Sequence, residues 1–388
     1  MMEMRYVELN EICDVRDGTH DSPKYVQEGF PLVTSKNIID GKLDLSTVNY
    51  LTQKDYDKIN ERSKVDRGDI IMPMIGTIGN PLLIGDFYKF AIKNVALIKF
   101  PNKNISNRYI WYFLKSDAFN KYVAEKNRGG TQKFLSLNDI RRMKVPYISY
   151  FEQISVVEKL DMVYKVIMQR IKELQLLDDL IKARFVEMFG DVIHNDRKWK
   201  CMQFSDITTS RLGKMLDTKH QTGTCKYPYL ANFNVQWFRF ELDNLNEMDF
   251  NEKDREEFYL EDGDLLVCEG GEIGRCAVWH NQVKKCFFQK ALHRVRCNQD
   301  IILPDYLSWW FKYNCENGGF AAIEGAKATI SHLTGVKMKM LDVTVPPVEL
   351  QEQFVDFIHQ VDKSKVVVQK ALDETQILFN SLMQQYFG

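Results

Sequence analysis

The chain has 388 residues, 52 Lys+Arg against 53 Asp+Glu, and is 45% hydrophobic and 27% charged. At about 100–200 residues per domain this allows two or three compact domains, and the composition excludes wholesale disorder. A net charge of −1 excludes a uniformly basic nucleic-acid binder but leaves room for local clusters.

The first residues, Met1 to Tyr6, lack the charged-then-apolar layout of a secretory signal, so a cytoplasmic location is expected. Eight cysteines form no C-x-x-C pair, which predicts reduced thiols. The cysteines from Cys268 to Cys315, near His280 and His293, fit no zinc spacing, and no metal is expected. The first 145 or so residues hold short β-like runs broken by Gly, Asn and Pro. The uncharged stretch Ile70–Gly85, interrupted by Pro73 and Pro81, is too short for a membrane span of about 20 residues and predicts a buried hairpin. Arg67-Gly68-Asp69 reads as a turn entering a strand, with Gly76 and Gly79 making the tight return. A helix is predicted around Asn107–Lys121. From Phe151 to Met188 there is neither Pro nor Gly. Ile154, Val157, Tyr164, Ile171, Leu174, Leu177, Ile181, Phe185 and Met188 draw a narrow apolar seam there. Such a helix is about 57 Å long, more than the diameter of a small domain.

The second half repeats the first. Val65–Met72 resembles Leu260–Val267, 195 residues on, and Leu9, Ile12 and Gly18 fall on Phe204, Ile207 and Gly213. Pro31 and Asn37 match Pro228 and Asn234 at a separation of 197, as Tyr109 matches Tyr306. Val145-Pro146 and Glu152-Gln153 align with Val345-Pro346 and Glu352-Gln353 at 200. Both halves end in Phe-Gly, at Phe189-Gly190 and Phe387-Gly388. Proline favours a helix start at Pro304, predicting Pro304–Tyr313. A second seam runs through Phe354, Phe357, Val361, Val368, Leu372, Thr375, Leu378 and Leu382. The expected fold is α+β: two similar globular domains, 1–150 and 191–347, each followed by a long helix, 151–190 and 348–388. The two helices are expected to pair as an antiparallel coiled coil.

Catalytic motifs are missing. There is no G-x-x-x-x-G-K-[ST], no H-E-x-x-H, and no Asn- or Asp-Pro-Pro-aromatic run for gripping an extruded base. Pro304-Asp305 lacks the carboxylate-x-Lys partner of a metal-dependent nuclease. No catalytic role is expected for the chain on its own. Charge, however, is clustered. Lys121 to Lys144 holds seven basic residues against two acidic ones, and Lys284 to Arg296 holds five against none, interleaved with Phe287, Phe288, Gln289 and His293. Basic side chains bind phosphates and Gln, Asn, Thr and Arg read base edges, so duplicated patches point to DNA. The competing reading is a coiled-coil protein whose duplicated domains bind other proteins.

Three stretches carry a resemblance: Asp17-Gly18-Thr19-His20 running to Lys36-Asn37-Ile38, Arg67-Gly68-Asp69-Ile70-Ile71 with Gly76 and Gly79, and Gly130-Thr131-Gln132-Lys133-Phe134 running to Val145-Pro146 and Glu152-Gln153. In this order, and twice over, they resemble the specificity (S) subunit of type I restriction–modification systems, end to end. The second copy departs, keeping only the glycine of Asp-Gly-Thr-His in Leu212-Gly213-Lys214-Met215, and Gly325-Ala326-Lys327-Ala328-Thr329 for Gly-Thr-Gln. The resemblance implies two target recognition domains that read an asymmetric bipartite site on double-stranded DNA. It implies two methyltransferase subunits and restriction/translocase subunits as partners, with S-adenosylmethionine, ATP and Mg²⁺ bound by those partners and no cofactor here. The expected complex is a type I restriction endonuclease and adenine methyltransferase, with this chain as its non-catalytic subunit. The residues expected at DNA are Thr19, His20, Lys36, Arg128, Gln132 and Lys133 in the first domain. In the second they are Lys290, Arg294, Arg296, Lys327 and Thr329.

Overall fold

The computed structural model describes residues 5–39, 41–76, 78–85, 89–127, 134–216, 222–321 and 332–388. They fall into two units: Met1–Lys172 with Gln369–Gly388, and Glu173–Val368. The first unit contains β1 (Arg5–Glu8), β2 (Asp14–Asp17), β3 (Phe30–Val33), β4 (Asn49–Leu51), α1 (Gln53–Ser63), β5 (Ile70–Pro73), β6 (Leu82–Leu83), β7 (Ala91–Ile92) and β8 (Val95–Lys99). Then come α2 (Asn107–Phe113), α3 (Asp117–Lys126), β9 (Lys144–Tyr147) and the start of the long helix α4 (Tyr150–Phe189). The second unit contains β10 (Lys200–Gln203), β11 (Thr208–Leu212), β12 (Lys226–Leu230), β13 (Asn246–Asp249), β14 (Leu265–Cys268), β15 (Cys276–Val278), β16 (Phe287–Phe288) and β17 (Leu292–Cys297). It continues with α5 (Pro304–Glu316), β18 (Asp342–Val345) and the start of α6 (Val348–Phe387).

The same topology is built twice. In the first unit one sheet has the order β2-β8-β5-β6, all antiparallel, and a second has the order β4-β3-β7, with β3 and β7 parallel. The second unit repeats this as β11-β17-β14-β15 and β13-β12-β16, again with one parallel pair. A short ladder closes each unit, β1 with β9 and β10 with β18. The expected hairpin in Ile70–Gly85 is β5 with β6. The single helix expected around Asn107–Lys121 is instead two. Ser116 accepts a hydrogen bond from Phe119 N and starts α3 afresh, because a serine at that place caps a new helix.

Aromatic residues fasten both long helices to each globular part. In the first unit Tyr109 and Phe113 of α2 meet Phe387 at ring-centroid distances of 5.1 and 6.1 Å, and Trp111 meets Tyr164 at 5.9 Å. Tyr164 in turn faces Phe379 at 6.1 Å. In the second unit Tyr306 of α5 lies 4.8 Å from Phe189, and Trp309 lies 6.1 Å from Phe354. Phe185 also meets Phe354 at 5.5 Å while Asp178 pairs with Lys365 at 2.6 Å, so α4 and α6 run antiparallel. Two seam positions differ from expectation. Ile171 and Leu378 are exposed, while Leu160, Ile167, Phe189 and Met383 are buried. An α-helix drifts against a 3.5-residue repeat, which moves the buried stripe off a strict heptad reading.

The register of the repeat also needs correcting at its end. Gln153 is buried, accepts from Ser106 N at 2.9 Å and donates to Ile148 O at 2.9 Å. Its counterpart is Gln351, which accepts from Leu303 N at 2.8 Å and donates to Ile301 O and Pro346 O at 3.0 and 2.8 Å. The separation is therefore 198, not 200, and Glu352-Gln353 is a coincidental match with Gln353 exposed. Gln153 ties the first turn of α4 to the loop before α2, and Gln351 ties that of α6 to the loop before α5.

Gln351→Leu strands one buried N–H and two carbonyls and is expected to destabilise the chain by about 3 kcal/mol. Gln353→Leu, at the exposed position, is expected to change it by no more than about 0.5 kcal/mol. Urea denaturation of the two variants measures the difference, and equal effects would restore the 200-residue register.

Candidate nucleic-acid interface

The repeated Gly-Asp turn holds the fold together. Gly68 and Gly263 take φ of +89° and +83°, which favours glycine. Asp69 Oδ2 then accepts from Asp66 N at 2.8 Å, and Asp264 Oδ2 from Glu261 N at 2.7 Å. A cation from the central strand closes each turn: Lys99 Nζ reaches Asp69 at 2.5 Å and Asp66 at 2.9 Å, and Arg296 reaches Asp264 at 2.7 Å and Glu261 at 3.0 Å. Burial pushes the Asp69 carboxyl up in spite of its lysine. Hydrogen bonding to Asp264 raises Arg296 further.

Arg294 is committed in the same way. Its Nη1 donates to Glu257 O at 3.1 Å and Tyr259 O at 2.8 Å, its guanidinium lies 5.5 Å from the Phe288 ring centroid, and burial lowers its pKa. Sequence spacing groups Arg294 and Arg296 with the DNA contacts; in the structure Arg294 Nη1 is held by backbone carbonyls and Arg296 Nε and Nη2 by Asp264 and Glu261, which gives both a scaffold role. Arg128, Gln132, Lys133, Lys327 and Thr329 lie outside the described residues.

The other four expected residues come to one edge in each unit. At Gly18 a Cβ would stand 2.4 Å from Ile92 O, and at Gly213 one would stand 2.3 Å from Gln289 O. This close approach explains why glycine alone survives of the Asp-Gly-Thr-His stretch. Beyond it the chain bridges the end of the parallel strand. Thr19 N donates to Ile92 O at 2.9 Å and Asn94 N to Thr19 O at 3.2 Å; in the second unit Lys214 N donates to Phe288 O at 3.1 Å and Lys290 N to Lys214 O at 2.9 Å. Lys290 is exposed and stands where Asn94 stands in the first unit.

Lys36 belongs to the same edge. Lys93 N donates to Val33 O at 2.9 Å, and the turn Ser35–Asn37 follows directly. Buried Asn37 holds this turn by accepting from Thr34 N at 2.9 Å, and Asn234 does the same from Ala231 N at 2.9 Å. Lys36 is exposed between these fixed points, and Phe233 takes its place in the second unit.

His20 completes the first edge. Its Nδ1 lies 2.8 Å from Asn94 Oδ1 and its Nε2 2.8 Å from Asp17 Oδ2, while Arg62 also pairs with Asp17. Two oxygen acceptors are both satisfied only when the ring carries two N–H groups. The hydrogen bonds to Asn94 and Asp17 accordingly raise the His20 pKa. Arg62, Lys93 and Asn94 are members of this edge that the motif reading missed; aligning Ile92-Lys93-Asn94 with Phe288-Gln289-Lys290 was the available signal. Among the described residues, no group of three or more His, Cys, Asp or Glu is placed to hold a metal. Nor is any described helix long and apolar enough to cross a membrane.

The profile of the family described as "Type I restriction modification DNA specificity domain" matches residues 1–176 and 196–375. The EcoBI specificity subunit of a type I restriction enzyme from Escherichia coli is 26% identical over 140 residues, covering 36% of this chain and 29% of that protein. The chain thus matches about a third of that relative's length. The crystal structure of the S subunit of a type I restriction–modification system from M. genitalium superposes with a TM-score of 0.55 at 12% identity. It covers 100% of this chain and 97% of that one. A chain from a study of complex assembly and conformational transition in the type I R-M system gives 0.60 at 16% identity, covering 100% and 98%. These likenesses show the fold.

The hydrogen bonds of His20 are expected to persist below the ordinary histidine pKa and to be lost as pH rises through the raised value of the folded state. Asn94→Ala should move the midpoint of the His20 ring-proton NMR titration down. An unchanged midpoint would remove Asn94 from the interaction.

Proposed function

We propose, on the premise that this chain belongs to the family of type I restriction–modification DNA specificity domains, that it reads an asymmetric bipartite site on duplex DNA and recruits the catalytic subunits. One observation carries the reading: the two units keep the same strand orders, the same close-approach glycine and the same buried asparagine turn, yet present different side chains on matching exposed edges. Two copies of one scaffold with unlike reading edges suit two unlike half-sites.

In the first unit Lys36 supplies phosphate affinity, Thr19 offers its hydroxyl to base or backbone atoms, and His20, whose ring N–H groups are held by Asn94 and Asp17, contributes positive charge beside the DNA; in the second Lys290 supplies the phosphate contact. Arg128, Gln132, Lys133, Lys327 and Thr329 are retained as DNA contacts from the sequence. The long helices set the unread gap and offer docking faces to two methyltransferase subunits, with restriction/translocase subunits joining them. Adenine methylation with S-adenosylmethionine and ATP- and Mg²⁺-dependent cleavage belong to those partners, and the chain is their non-catalytic, cytoplasmic reader.

Methylome sequencing of cells expressing the chain with its methyltransferase subunit is expected to show one split motif; unmodified DNA would overturn the proposal. Removing seven residues from each long helix withdraws about 10 Å of rise, so the gap should shorten by about three base pairs with both half-sites unchanged. Lys36→Ala and Lys290→Ala should each weaken binding across all sequences and flatten the log–log salt dependence by about 0.9. Sequence-selective effects from either would move that lysine to base reading.

A further inference from the structure

The two reading edges differ in chemistry far more than in backbone. Where the first unit has His20 and Lys36, the second has Met215, 61% exposed, and Phe233, 55% exposed, with Leu216 also exposed. Single exposed apolar residues are ordinary, but these leave one edge. Lys214 bridges Gln289 in parallel, and Gln289 N donates to Leu230 O at 2.9 Å. Three chain segments therefore lie side by side, so the segment carrying Met215 and the turn after Ala231 leave the same edge, two strand spacings of about 4.8 Å apart at their bridged residues.

The turn carrying Phe233 is braced on every side. Arg275 Nη2 donates to Asn232 O at 3.1 Å, Asn232 Nδ2 donates to Gly270 O at 3.2 Å, and Gln236 Nε2 donates to Phe233 O at 3.0 Å. Its backbone is fixed, whereas its ring stays exposed. Lys290, exposed on the same edge, provides a cation for a neighbouring phosphate. An apolar patch beside a cation matches one feature of the major groove, since the C5 methyl of thymine is the apolar group that base edges present there.

We propose that Phe233 and Met215 are specificity-determining residues that recognise a thymine C5 methyl in the half-site read by the second unit. This rests on the DNA-reading function proposed above. The first unit has His20, Asn94 and Lys36, all hydrogen-bonding or charged side chains, at the positions matching Met215, Lys290 and Phe233.

The test uses the full chain with its methyltransferase subunit and duplexes of the methylome-defined site, in which each thymine is replaced by uracil in turn. The exchange removes only the methyl. One position, in one half-site, is expected to lose about three- to fivefold in affinity, the value of one buried methyl, and every other position less than twofold. Phe233→Ala and Met215→Ala should abolish the thymine–uracil difference, Phe233→Leu should keep it, and Lys36→Ala should leave it untouched. A motif without thymine on either strand of one half-site, equal affinity for uracil, or Phe233→Ala weakening all duplexes with the ratio intact would each overturn the proposal. The last would mark Phe233 as a wedge or a protein contact. Loss of all sequence-selective binding in the wild-type complex would instead reject DNA reading itself, and this inference with it.

Discussion

At Gly18 and Gly213 the chain passes so close to the carbonyls of Ile92 and Gln289 that any side chain would collide with oxygen at under 2.5 Å. The approach lets β2 and β11 run on past their sheets and bridge the parallel strand of the second sheet. That bridge brings three otherwise separate segments to one edge: the one after β2, the one after β7 and the turn after β3. The side chains that face outward there, exposed His20 and Lys36 with half-buried Asn94, or Met215, Lys290 and Phe233, are placed by a backbone contact that involves none of them. A change of any of these side chains therefore leaves the scaffold intact.

The basic residues divide along the same line. Lys99 and Arg296 lie on central strands and neutralise the aspartates of the Gly-Asp turns, and Arg294 donates to backbone carbonyls. These cations are structural because leaving the buried Asp69 or Asp264 without one would strand a charge in a low-dielectric interior. Lys36 and Lys290 lie at strand ends and stay exposed. The near-equality of 52 basic and 53 acidic residues is in part the sum of such internal pairs, so the total charge was never a measure of DNA affinity.

Much of this architecture was legible in the sequence. The repeat, the hairpin at Ile70–Gly85 and both long helices follow from periodicity and from where Pro and Gly are absent, which are local properties. The misses are tertiary. Glu352-Gln353 imitates Glu152-Gln153 in letters, but which glutamine is buried depends on where the helix axis meets α5, and that selects Gln351. Likewise a run of basic residues from Lys284 to Arg296 looks uniform, yet alternation along β17 places Arg294 and Arg296 beside carbonyls and carboxylates while Lys290, before the strand, escapes. Asn94 carries no motif of its own; its place at the edge comes from its bonds to Thr19 and His20, and only the match of Ile92-Lys93-Asn94 to Phe288-Gln289-Lys290 hints at it in the sequence.

The two copies together separate what the fold requires from what it tolerates. Positions where both units carry the same residue in the same bonds include Gly18 and Gly213, Asn37 and Asn234, Asp69 and Asp264, Gln153 and Gln351, and Tyr109 and Tyr306; of these all but the glycines are buried polar groups, and the glycines leave no room. Positions where the copies differ most sharply, His20 and Met215 or Lys36 and Phe233, are exposed and make no bond that the backbone needs. A core substitution costs several kcal/mol and a surface one a few tenths, so the edge can change its chemistry almost without cost in stability. In His20 that freedom has been used for a ring held by two acceptors, and in Phe233 for a ring held by none. Under the proposed DNA-reading function, two edges on one backbone, one polar and one apolar, suit two different sets of bases.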